Sequence, residues 1–71
     1  MTNKAVAAQI VDARGMRCPW PVLRLARAMR GQDCALLLAD DANAEREVRA
    51  LAAEQGWQVE VQGEGWLVSR V

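Results

Sequence analysis

The stretch GMRCPWPVLRLARAMR, residues 15–30, places one thiol, Cys18, between arginine-rich flanks and directly before two prolines spaced one apart. Cysteine does chemistry as the thiolate, which forms where the potential is positive and the sulfur is partly exposed. Both conditions are expected at Cys18. A helical pattern begins at Pro19 or Pro21: proline is tolerated in a first turn, whose N–H groups have no intrahelical acceptor, while Pro21 disfavours helical geometry at Trp20. Either start leaves Cys18 at the positive end of the helix with Arg17 beside it. Trp20 and Val22 are then the backbone donors of a turn in which Pro19 and Pro21 have none. The chemistry that follows is nucleophilic sulfur chemistry on a thiol of lowered pKa. The alternative is a packed cysteine that closes a turn, since cysteine is among the most often buried residue types. Cys34 has that second character: it opens the apolar run CALLLA beside Asp33 and is read as inert.

Most other routes to chemistry are closed. The chain has no histidine and no tyrosine, which excludes a Cys–His pair and a histidine base. Cys18 and Cys34 stand 16 positions apart and form no C-x-x-C pair, so neither a zinc site nor a dithiol redox motif is supported, and no metal or cofactor is expected. Asp40 and Asp41 form one acidic pair in a turn. Capping accounts for Asp41, and neither has a metal partner. Glu45 and Glu47 fall near the start of the second helix, where the dipole favours acids, so they need no functional account.

Elements of known period must position that cysteine. AQIVDA, residues 8–13, reads as a short strand ended by Gly15. Helix one follows to Arg30, with Val22, Leu25, Ala26 and Met29 on one face and Gly31 as a stop. DCALLLAD, residues 33–40, reads as a strand either covered on both sides or central in the sheet. DANAEREVRALAAEQG, residues 41–56, reads as helix two. Asp41 or Asn43 serves as its cap, Gly56 as its left-handed end, and Ala44, Val48, Leu51 and Ala52 as its buried face. Trp57, Val59 and Val61 alternate with Gln58, Glu60 and Gln62, and GEG at 63–65 turns that strand into WLVSRV. The order βαβαββ predicts an α/β protein, a two-layer sandwich with a four-stranded mixed sheet and two helices on one face.

At 71 residues, with 52% hydrophobic and 25% charged residues, one globular domain spanning 1–71 is expected. MTNKAVAAQ has no continuous apolar segment of the signal-peptide kind, and no run approaches the roughly 20 apolar residues of a membrane span. A cytoplasmic location without membrane attachment is expected. The net charge of zero hides a division: residues 1–32 hold six basic side chains against the single acid Asp12, and residues 33–71 hold three against eight acids. The split suits the steering of a charged partner, or it is merely two solvated helix faces of different sign.

With these residues assembled, DARGMRCPWPVLRLARAM resembles the signature of the TusA (SirA-like) sulfur-carrier family, whose C-P-x-P motif is matched by Cys18, Pro19, Trp20 and Pro21. The likeness extends along the chain, through the leading strand, the glycine before the motif, and LLLADDANAEREVRALAAEQGW. It departs at Trp20, bulky where other members carry small or acidic residues, and at Ala42, where proline is frequent. The resemblance implies that Cys18 accepts sulfane sulfur as a persulfide from a cysteine desulfurase, a rhodanese or another sulfur-relay protein. It further implies that the sulfur passes to an acceptor in tRNA thiolation, molybdenum-cofactor synthesis or sulfur oxidation. Such a carrier is a sulfurtransferase in the sense of a covalent intermediate, with Arg17, Pro19, Trp20, Pro21 and Val22 supporting the sulfur.

Trp20, Leu23, Arg24, Arg27 and Arg30 fall opposite the buried face of helix one, a composition typical of docking patches. The competing placement lays Trp20 over Met16 with the arginines solvated. Two other functions are weighed. A thiol-based regulatory or redox-sensing module lacks a nearby resolving cysteine. A nucleic-acid module using the arginines is opposed by zero net charge, the acidic second half and the lack of aromatic interleaving on a strand platform.

Overall fold

The computed structural model describes residues 8–70. Residues 1–7 of the stretch MTNKAVAAQ, Lys4 among them, and Val71, placed by sequence in the last strand, lie outside that range. The elements are β1 (Gln9–Asp12), α1 (Trp20–Met29), β2 (Cys34–Leu38), α2 (Ala44–Gln55), β3 (Trp57–Gln62) and β4 (Gly65–Arg70). They form one four-stranded sheet in the order β1-β2-β4-β3. β1 runs parallel to β2, and β4 is antiparallel to both of its neighbours. β3 is therefore parallel to β2, and the chain crosses over through α2 before β4 inserts between them.

Register sorts the side chains. Val11 stands opposite Leu37, Ala35 opposite Val68, and Val59 opposite Val68. All of these belong to the core or pack against it, together with Leu25 and Met29 of α1 and Ala44 and Val48 of α2. Burial of these apolar side chains drives the two-layer packing. Gln58, Glu60 and Gln62 are exposed on the alternate face of β3, as their period predicts. Gly63, at φ 57°, starts the two-residue turn between Gln62 and Gly65, a backbone state glycine adopts without steric cost.

Helix α1 starts one residue away from either expected position. Its first helical residue is Trp20, with Pro19 as N-cap and Pro21 buried in the first turn. Its other end is held from afar. Arg70 donates to the carbonyl oxygens of Gln32, at 3.3 Å, and Met29, and its guanidinium lies 5.7 Å from the Trp57 ring centroid. A cation on the last carbonyls of a helix is favoured by the dipole. Replacing Arg70 with alanine is expected to lower stability by about 1–2 kcal/mol, read by chemical denaturation. An unchanged midpoint would show that solvent replaces these bonds in full.

Candidate functional site around Cys18

Because β1 and β2 are parallel, both helices begin at the same edge of the sheet, beyond the strands' carboxyl ends, where α/β proteins place their ligands. Three segments meet there: the β1–α1 loop with Cys18, the β2–α2 turn with Asp40 and Asp41, and the first turns of α2. Side-chain bonds tie them together. The Gly15 N–H donates to Asp40 Oδ1 at 2.9 Å, and Gly15 takes φ 85°, a left-handed state that glycine suits. The Asn43 N–H donates to Asp41 Oδ2 at 3.1 Å, so Asp41 shapes the turn into α2 while Asn43 occupies the N-cap position. At the exit of β1, Arg14 Nε and Nη2 hold Asp12 at 3.0 and 2.9 Å. That side-chain hydrogen bonding brings the Asp12 carboxyl from its ordinary 3.8 down to about 2.

Cys18 is an exposed free thiol, and Cys34 a buried one. The Cys18–Pro19 peptide bond is cis. The thiol of Cys18 donates a hydrogen bond to Glu47 Oε2 across 29 residues of sequence. This overturns the expectation of a lowered pKa. The hydrogen bond to Glu47 first, then desolvation, then the negative charges of Glu47 and Asp41, push the thiol up, with Arg46 opposing them. The charges that act most strongly on the sulfur come from α2 and the turn into it, not from Arg17. The Trp20 N–H is also spoken for, donating to the Arg17 carbonyl at 2.8 Å, so it does not cradle the sulfur.

Glu47 does stand in the first turn of α2, where the dipole favours an acid, but contrary to the expectation from sequence its contact with Cys18 gives it a place in the site. A signal for it exists in the sequence: Glu47 lies three residues after Ala44 and four before Leu51, at the edge of the apolar stripe of α2. A carboxylate in such a position requires a partner. Asp40 carried no comparable signal, because its link to Gly15 joins residues 25 apart in a loop.

The remaining residues read from the sequence gather on the outer side of α1. Trp20 is 60% exposed and Leu23 50%, while Arg24, Arg27 and Arg30 are exposed and Val22 is half-buried. Arg24 donates to the Asp12 carbonyl oxygen at 3.2 Å, and a groove of about 660 Å³ runs between α1 and the edge strand β1. Trp20, Leu23, Arg24, Arg27 and Arg30 all line that groove, facing Ile10. Among the described residues, no helix is long and apolar enough to cross a membrane, and no cluster of three or more potential metal ligands occurs.

A family model described as Sulfurtransferase TusA matches residues 9–71. No curated protein matches the chain.

Proposed function

The chain belongs to the TusA sulfurtransferase family, and from that premise we propose that Cys18 accepts sulfane sulfur as a persulfide and relays it to a downstream acceptor. The family supports a sulfur-carrier role in a relay with other sulfur-transfer proteins. The observation that carries the finer reading is the exposed Cys18 thiol, at the rim where the starts of both helices converge. A carrier needs a sulfur that two different proteins can reach in turn, and such a rim offers approach from outside the sheet. The donor is a cysteine desulfurase, a rhodanese or another relay protein. The acceptor lies in tRNA thiolation, molybdenum-cofactor synthesis or sulfur oxidation, and the compartment is the reducing cytoplasm, where free thiols persist.

A thiol held protonated suits this role. The thiolate is the form that oxidants and electrophiles attack, so an elevated pKa protects an idle carrier. The rival reading, an intramolecular redox switch, is opposed by geometry. Cys34 opens β2, just past the carboxyl end of α1, whereas Cys18 stands before its amino end. A helix of 10 residues separates them, about 15 Å by its rise, well beyond the reach of a disulfide.

Intact-mass measurement after incubation with a cysteine desulfurase and cysteine is expected to show added sulfur that a reductant removes. Absence of uptake from that donor, from thiosulfate with a rhodanese and from polysulfide would overturn the proposal. The groove beside α1 is proposed as the surface that docks protein partners, through Trp20, Leu23, Arg24, Arg27 and Arg30. Replacing Trp20 with alanine is expected to slow loading from a protein donor by about tenfold, a hot-spot effect. Loading from polysulfide should not change, and stability should stay within about 0.5 kcal/mol. Equal slowing with both donors, together with a lower melting temperature, would instead mark Trp20 as packing.

A further inference from the structure

Glu47 makes a contact that its place in the fold does not require. Its Oε2 accepts the hydrogen bond of the Cys18 thiol, and its Oε1 is buried with no hydrogen-bond partner among the described residues. Burying an unpartnered carboxylate oxygen is costly, and an apolar side chain at this edge of the α2 stripe would avoid the cost. Nearby cations do not explain it, because Arg46 bonds Asn43 Oδ1 at 2.9 Å instead. Among the described side chains, the carboxylate's one hydrogen bond is therefore to the reacting sulfur.

We propose that Glu47 is the catalytic base of sulfur loading, taking the Cys18 proton as Sγ attacks the outer sulfur of a donor persulfide. This rests on the sulfur-carrier reading above. In the step, a bond forms between Cys18 Sγ and the outer sulfur of the donor R–S–SH. The donor's S–S bond breaks, and its electron pair leaves on R–S⁻. The thiol proton passes to Glu47 Oε2 and then to that leaving thiolate. The sum is Cys18–SH plus R–S–SH giving Cys18–S–SH plus R–SH, an exchange with no net oxidation. The elevated thiol pKa fits this sequence, since few thiolates are formed in advance and proton removal becomes part of the reaction. Histidine, the commonest base in such pairs, is absent from this chain. Asp41 and Arg46 also act on the sulfur, but neither bonds to it.

The test pairs two rates at pH 7 in wild type, Glu47→Gln and Glu47→Asp. One is alkylation of Cys18 by iodoacetamide, and the other is sulfur loading from glutathione persulfide. Glutamine keeps the shape but removes the charge and the basic oxygen, so the thiolate fraction rises. Each tenfold rise is expected to speed alkylation about threefold, because a less basic thiolate is also a weaker nucleophile. Loading is expected to move the opposite way, falling about tenfold or more in Glu47→Gln, with partial recovery in Glu47→Asp. A residue that only tunes the thiol would move both rates upward together, and that result, or equal loading in all three proteins, overturns the proposal. If wild type takes up no sulfur from any donor, the carrier reading fails and the base role falls with it. Uptake in wild type that survives undiminished in Glu47→Gln rejects the base role alone.

Discussion

Replacing Cys18 with serine is expected to abolish sulfur uptake completely, whereas replacing Cys34 with alanine leaves it intact. A serine hydroxyl has neither the acidity nor the nucleophilicity to form a sulfur–sulfur bond at neutral pH, so no residual loading is expected from this position. Cys34 is 6% exposed, and no donor persulfide reaches it without opening the junction between α1 and β2. The two substitutions also differ in structural cost. Cys18 lies on the surface, so its replacement should leave the melting temperature near that of wild type, and lost uptake then reports chemistry. Cys34→Ala removes a buried sulfur and costs about 1–2 kcal/mol, yet should still load fully below its melting point. Intact mass before and after reductant reads both. Uptake that persists in Cys18→Ser and disappears in Cys34→Ala would reverse the assignment and make the buried thiol the carrier.

The difference between what the residues foretold and what the structure holds lies in range of action. β1, both helices and the terminal hairpin were legible because each is written in local period and punctuation: Val22, Leu25 and Met29 along α1, Gly56 at the end of α2, Gly63 in the turn. The insertion of β4 between β2 and β3 was not, since strand order depends on pairings such as Leu36 with Leu67, far apart in sequence. The site divides in the same way. Cys18 and its prolines announce themselves within four residues. Its electrostatics do not, because the groups that act on the sulfur arrive through the parallel β1–β2 pair, which brings the start of α2 beside the start of α1. Arg17, the neighbour in sequence, points to a lowered pKa, whereas Glu47, a neighbour only in space, dominates and pushes the thiol the other way. Arg70 is a similar case: read as the end of a strand, it caps the helix that carries the thiol.

A single methyl group placed at Gly65 is expected to unfold the protein more readily than any surface change, and to disturb the site from beneath. Gly65 is buried at the start of β4, paired with Leu38 of β2 and Gln62 of β3. A Cβ there would overlap the Leu37 carbonyl oxygen and come within 2.8 Å of Leu38 Cδ2. The Leu38 side chain could rotate, but the carbonyl belongs to the backbone of the neighbouring strand and moves only if β2 and β4 separate. Overpacking of this kind costs about 3 kcal/mol or more, which in a chain this short corresponds to a fall of about 12 °C or more in melting temperature. The displaced strand end also supports the thiol loop. The Leu38 carbonyl accepts the Ala13 N–H at 2.8 Å, and Asp40, two residues on, accepts the Gly15 N–H. Gly65→Ala is therefore expected to slow sulfur loading at temperatures where the protein is still folded, because the Cys18–Glu47 geometry depends on those two bonds. Gly31→Ala is the matched control: nothing lies within 4 Å of a Cβ at that position, and its stability should equal or slightly exceed that of wild type. Thermal unfolding and loading assays on the pair decide the matter. Equal melting of the two variants would mean that β4 does not lie against β2 as described, and with it would go the account of how the sheet holds the sulfur in place.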